Sequence, residues 1–200
     1  TALSMAGMKP PYVLMPHSAS GIYSEYYAAK YPDEVSGIIM LDTTPTVKVD
    51  SKLQTVLMKP KNVKLIYGFN RLLQATGLSR IIIGLIPPFQ KVENGYTEKE
   101  ISDFKLFNYH VVNDTIINQA MGLNNTVNEV NSIDFPQEIP VLKLISSVTQ
   151  KQGGEESQIN HLNRLGANAE SKIIDGSHVF FQTNITDISN ATNKFLEKIH

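Results

Sequence analysis

The sequence contains no cysteine, which excludes disulfides, thiolate nucleophiles and thiolate metal sites and leaves the compartment open. Neither charge is in excess: 18 Lys and Arg stand against 19 Asp and Glu, a formal net charge of -1 at pH 7, with no long run of one sign. A nucleic-acid partner therefore has no electrostatic footprint to follow. No apolar run approaches the roughly eighteen residues that a membrane-spanning helix needs. The nearest, "RIIIGLIPPF" at 80–89, is broken by Gly84 and two prolines. The N-terminus lacks the basic segment followed by an apolar stretch that marks a secretory leader. It does not begin with Met, and "TALSMAG" reads as the last turns of a helix capped at Gly7, so the chain is expected to open in mid-architecture.

What is present suits a globular domain. Two hundred residues, 42% hydrophobic and 18% charged, are enough for one domain with a sizeable core, or one domain carrying an insertion. "YVLM" (12–15) is a short apolar run between prolines and reads as a buried strand. After the "PHSASG" turn, "IYSEYYAAKY" has helical spacing, with Tyr23, Tyr26, Tyr27 and Lys30 able to share helix faces and Pro32 just past the end. "VSGIIMLD" (35–42) is a second, uniformly apolar strand. Strands apolar on both faces and separated by a helix predict a parallel sheet covered on both sides.

Residues 46–135 change character: they are helix-like, punctuated by Pro60, Gly68, Gly77, Pro87, Pro88 and Gly95. Thr97 with Glu100 three places on is a capping-box signature. Strand character returns at "IPVLKLIS" (139–146) and "SKIID" (171–175), with the helical "INHLNRLG" between them. A closing helix, "TDISNATNKFLEKI", could be capped by Thr186. The predicted organisation is an α/β core over 1–45, a helical insertion over 46–135 and a second core segment over 136–200. No internal repeat and no low-complexity segment is visible.

The chemistry is expected in the turns. A serine hydroxyl is a weak nucleophile until a base takes its proton and its geometry is fixed. A tight strand-to-helix turn fixes the geometry, and it needs small residues two before and two after the nucleophile. Ser18 has Pro16 and Ser20 in those places, with Gly21 next, whereas Ser20 would have Ser18 and the bulky Ile22. Ser18 is therefore the candidate.

These residues resemble the α/β-hydrolases. The family's common motif is G-H-S-x-G-G, and this chain has Pro16-His17-Ser18-Ala19-Ser20-Gly21. "YAAKYPDEVSGIIMLD" is similar to the helix and strand that follow in esterase-like members, and "IIDGSHVFFQ" to the segment where they place the catalytic histidine. The departures are Pro16 for the first Gly and Ser20 for the second; Pro16 cannot donate a backbone hydrogen bond. The resemblance implies the α/β-hydrolase fold, partial, with a mostly parallel sheet, flanking helices and an inserted helical cap. By the same resemblance, the chain covers the second half of that fold and its cap. The earlier strands and one of two oxyanion donors would then lie outside it, leaving "YVLM" as an edge open to a separate N-terminal segment or to self-association.

The resemblance also assigns roles. His178, in a Gly-Ser turn directly after a strand, becomes the general base. His17 becomes a residue that shapes the site, and His110, His161 and His200 read as structural. The backbone N–H of Ala19 becomes an oxyanion donor. The acid usually follows the strand matching "VLKLI", but "SSVTQ" (146–150) holds no carboxylate. Asp42, at the C-terminal end of "GIIML", is preferred over Glu155 or Glu156, with a turn or capping aspartate as its plain alternative. Asp175 is only three residues from His178 and a poor match. The implied activity is a serine hydrolase acting on a small-molecule ester or related acyl bond, with no cofactor and no metal. The rival is a non-catalytic binding or signalling protein on the same fold. The Asn-x-Ser/Thr matches at Asn113, Asn124, Asn184 and Asn190 are expected by chance in an Asn-rich chain.

Overall fold

The computed structural model describes residues 2–47, 60–85, 92, 96–108 and 113–199. The chain divides into two compact units, Thr1–Lys48 with Val127–His200, and Val49–Thr126.

In the first unit a helical turn, α1 (Ala2–Met5), stops where Gly7 takes φ 78°. The Met8 N–H bonds back to the Leu3 carbonyl at 2.9 Å, which closes a Schellman cap. Strands β1 (Tyr12–Leu14) and β2 (Val35–Leu41) follow, joined by helix α2 (Ser20–Lys30). Among the described residues, this unit's further strands are β3 (Val141–Ser146) and β4 (Ala169–Ile174). All four strands pair in parallel in the order β1-β2-β3-β4, so consecutive strands are neighbours and β1 is an edge.

The apolar character of β2 now has a direct explanation. Its alternate side chains feed two cores on opposite faces. Ile38 and Met40 pack with Ala28, Val35, Phe135, Ile139, Val141 and Leu165. Ile39 and Leu41 pack with Leu142, Leu144, Ile174, Phe180, Ile188 and Phe195. Full burial of each such side chain contributes roughly 1.5–3 kcal/mol, so these two layers supply the bulk of this unit's stability. β4 differs. Its middle is exposed, as fits the opposite edge of the sheet.

Helix α2 packs through Gly21, Ile22, Glu25 and Ala28, while Tyr23 and Tyr26 are exposed. A glutamate inside and tyrosines outside invert what residue type alone suggests. The chain after β3 enters a short helical turn (Ser147–Thr149) and a π-helical stretch (Gln150–Gly154) that lead into helix α7 (Glu155–Leu165), and helix α8 (Ile185–Ile199) closes the unit. α8 begins one residue before Thr186, so Thr186 lies inside the first turn and cannot be its cap. The Asn184 carbonyl accepts from the Ile188 N–H there.

The second unit contains α3 (Pro60–Ala75), α4 (Leu78–Leu85) and α5 (Glu98–Asn108), and α6 (Asp114–Asn131) starts in it. The Thr97–Glu100 capping box forms at the start of α5. The Glu100 carboxylate accepts from the Thr97 N–H at 2.8 Å, and the Glu100 N–H donates to Thr97 Oγ1 at 3.2 Å. Pro87, Pro88, Gly95, His110 and His200 lie outside the described residues. Among the described residues, no helix is long and apolar enough to cross a membrane.

One contact sets how closely the first turn of α2 approaches the loop after β2. A Cβ on Gly21 would stand 2.5 Å from Thr43 Cβ and 2.7 Å from its Cγ2. Gly21→Ala is therefore expected to destabilise the fold by about 1–3 kcal/mol through overpacking. Urea denaturation measures this, and Thr43→Gly in the same chain should restore part of the loss.

Candidate active site

The turn between β1 and α2 is built around a strained serine. Ser18 has φ 56°, a left-handed conformation that costs a non-glycine residue about 1–3 kcal/mol. Backbone hydrogen bonds hold it there. The Ser18 N–H donates to the Leu41 carbonyl at 3.2 Å, and the Ser18 carbonyl accepts from Gly21 N–H at 3.2 Å and Thr44 N–H at 3.0 Å. Ser20 is used up in closing the turn: its hydroxyl donates to the His17 carbonyl at 2.6 Å and accepts from the His17 N–H at 2.8 Å. Ser18 Oγ is left facing His178.

The end of β2 supplies a buried carboxylate. Asp42 also has a positive φ, 44°, which aspartate tolerates better than most residues. Its side chain is buried, and each carboxylate oxygen has a donor. Oδ1 accepts from the Ser146 N–H at 2.9 Å; Oδ2 accepts from Thr149 Oγ1 at 2.7 Å and from His178 Nδ1 at 2.7 Å. Burial pushes the Asp42 carboxyl up, but the bonds from His178, Thr149 and Ser146 outweigh it and hold the group below its ordinary 3.8. An ionised carboxylate can only accept, so Nδ1 of His178 carries the proton. Nε2 is then free to accept from Ser18 Oγ at 2.9 Å.

Ser18, His178 and Asp42 thus form one hydrogen-bonded series from residues 160 and 136 positions apart. Glu155 and Glu156 sit in the first turn of α7, and the imidazole bonds Asp42 instead. Asp175 accepts from the Ser147 hydroxyl at 2.8 Å. Ala19 precedes α2 with φ -62° and ψ -20°, and its N–H has no hydrogen-bond partner among the described residues. His17 donates from Nε2 to the His178 carbonyl at 2.9 Å, and its ring lies 4.6 Å from that of His178 and 4.7 Å from Phe181. Burial pushes the His17 pKa below its ordinary 6.5, against the pull of that carbonyl bond. Among the described residues, no group of three or more His, Cys, Asp or Glu side chains could hold a metal ion.

Sequence reasoning missed the part played by 146–149. The segment holds no carboxylate of its own; it supplies donors that hold one. Its signal was there to use: two hydroxyl residues, Ser146 and Thr149, in a turn that lacks the expected acid. Ser146 also caps the turn, its Oγ accepting from the Val148 and Thr149 N–H groups and donating to the Gly176 carbonyl.

The depressed Asp42 pKa carries a pH signature. A carboxyl whose folded value lies below its unfolded value stabilises the fold fully above the unfolded value, and that stability is lost as pH falls through the folded value. The part of the stability difference between wild type and Asp42→Asn that comes from the carboxylate should be lost as pH falls below 3.8. Paired denaturation curves from pH 7 to pH 2 measure this.

No protein-family model matches the chain. It is 28% identical over 208 residues to the uncharacterized protein YbdG of Bacillus subtilis (strain 168), a match covering 99% of this chain and 62% of YbdG. The chain thus spans less than two thirds of that relative's length. Among solved structures it is similar to a thermophilic esterase from Thermogutta terrifontis, with TM-score 0.66 and 19% identity over 100% of this chain and 69% of the other. It is also similar to an epoxide hydrolase from Vigna radiata, with TM-score 0.61 and 15% identity over 98% of this chain and 71% of the other. With four parallel strands among the described residues, flanking helices and these neighbours, the chain has the α/β-hydrolase fold.

Proposed function

We propose that this chain is the part of a serine hydrolase that cleaves an ester or related acyl bond through Ser18, His178 and Asp42. The fold alone does not choose the reaction, since its neighbours include both an esterase and an epoxide hydrolase. The observation that carries the reading is the series from Ser18 Oγ to His178 Nε2 at 2.9 Å and from His178 Nδ1 to Asp42 Oδ2 at 2.7 Å.

In this reading Ser18 Oγ attacks the substrate carbonyl carbon as its proton passes to His178 Nε2. The carbonyl π electrons move onto oxygen, and the Ala19 N–H is one donor to that oxyanion. Asp42 stabilises the imidazolium and keeps its proton on Nδ1, without becoming protonated itself. Collapse of the tetrahedral adduct breaks the bond to the leaving group, which takes the proton from His178 and departs as an alcohol. Water then attacks the acyl-serine, losing its proton to His178, and the acid product leaves with Ser18 restored. Ser18 is held in its strained conformation before substrate arrives, so the hydroxyl needs no rearrangement to attack.

A fluorophosphonate probe tests this, because it reacts with an activated serine whatever the acyl preference. The protein should be labelled, and Ser18→Ala and His178→Ala should abolish labelling. Asp42→Asn should retain the fold at neutral pH and lower kcat by about ten-thousandfold, as neutralising such an acid does elsewhere. Folded full-length wild type that takes no label would overturn the assignment in favour of a non-catalytic binding protein on this fold.

A further inference from the structure

The Ser18–His178–Asp42 series does not use a second buried cluster of polar and charged side chains in the first unit. Glu25, His161 and Lys143, from α2, α7 and β3, are each at most 1% exposed, and Thr46, beyond Asp42 on the same loop, is fully buried. They form one chain of hydrogen bonds. Lys143 Nζ bonds His161 Nδ1, His161 Nε2 bonds Glu25 Oε1 at 2.7 Å, and Thr46 Oγ1 donates to Glu25 Oε2 at 2.6 Å. Burial pushes the His161 pKa below 6.5; Lys143 donates toward Nδ1, which leaves Nε2 to carry the proton that faces the carboxylate. Burial also pushes Lys143 down to about 7, against the pull of Glu25 and Asp42. Every donor in the chain points toward Glu25. Arg164 adds a cation, its Nε 3.6 Å from Glu25 Oε2, while its own guanidinium donates to the Val130 and Ile133 carbonyls.

Stability does not explain this arrangement. The neighbouring core is apolar, formed by Ala28, Met40, Val141 and Leu165 among others. Replacing a buried ionic cluster by well-packed apolar side chains is often neutral or stabilising. What hydrogen bonds to a charge provide and apolar contacts do not is direction. Here the bond that Thr46 donates to Glu25 ties the loop that carries Asp42 to the helix that follows Ser18. That loop is fixed at three places: Asp42 by the end of β3, Thr44 by the Ser18 carbonyl, and Thr46 by Glu25.

We infer that Glu25, acting through Thr46, is a positioning residue that holds the Asp42 loop at the distance from Ser18 which lets one imidazole bridge both. His161 and Lys143 orient the Glu25 carboxylate for that contact. The inference rests on the proposed roles of Ser18, His178 and Asp42. Glu25 and Thr46 touch no reacting atom; they act on where Asp42 stands.

The test compares Thr46→Val, which keeps the shape and removes the hydroxyl, with Thr46→Ser, which keeps the hydroxyl. Two readouts are taken on each folded protein. The first is ester turnover. Thr46→Val should lower kcat about tenfold to a hundredfold with KM unchanged, the size of effect that small misplacements of catalytic groups produce, and Thr46→Ser should stay close to wild type. The second is the low-field NMR proton between His178 Nδ1 and Asp42, assigned by its loss in His178→Gln. It should shift in Thr46→Val and stay in place in Thr46→Ser. Glu25→Gln, which keeps the volume, is the second variant and should follow Thr46→Val in both. Wild-type kcat and an unmoved proton in either Thr46→Val or Glu25→Gln overturn the inference. A wild type that takes no fluorophosphonate while its low-field proton still responds to Thr46→Val supports the positioning role and overturns the proposed activity alone.

Discussion

A carboxylate taken out of water has to be met by donors, or it neutralises or drags its surroundings apart. Asp42 is such a group, and much of this unit's local geometry follows from satisfying it. Its oxygens draw on the Ser146 N–H, the Thr149 hydroxyl and the His178 ring, which belong to the end of β3, the turn after it and the loop after β4. Those segments converge because β2, β3 and β4 are consecutive neighbours in a parallel sheet, which brings their C-terminal ends to one edge. The same donors depress the Asp42 pKa and fix the imidazole tautomer. Site electrostatics and local architecture here have one cause.

Two strained residues share this constraint. Ser18 and Asp42 both have positive φ, and each is held by bonds from elements far away in sequence. Such conformations persist only where the surroundings over-determine them. Here the Leu41 carbonyl, the Thr44 N–H and the close approach of Gly21 to Thr43 lock the two turns against each other. Below them the Glu25–His161–Lys143 chain joins the elements that carry those turns. An apolar layer could fill the same volume, but it could not fix the loop in one orientation.

Much of the core was legible because burial writes itself into residue type. The apolar runs at 35–42 and 139–146 locate strands seen at 35–41 and 141–146, since strands covered on both faces draw mostly apolar side chains, while the run at 12–15, expected as a buried strand, forms a half-buried one at 12–14. That Ser18 and not Ser20 takes the strained place in the turn was also legible from size, because the bulky Ile22 stands two places after Ser20. Legibility failed where a polar residue is buried. Glu25 lies among tyrosines on α2, and nothing in its neighbours marks it as the inward residue. Lys143 interrupts a strand pattern without showing which partners wait for it. Both depend on His161, more than a hundred residues from Glu25 and on another helix.

The amino-acid order by itself therefore determined the parallel α/β layout and the turn that presents a serine, because periodicity and side-chain size act over a few residues. It also narrowed the acid to a short set, Asp42 or Glu155 and Glu156. Only the tertiary structure decided which of these carboxylates the His178 ring bonds, by bringing Ser146 and Thr149 to Asp42 and leaving the glutamates at the start of α7. The reason is physical. A hydrogen bond needs a donor within about 3 Å at a favourable angle, and that condition is met across the sheet by backbone that no local pattern encodes.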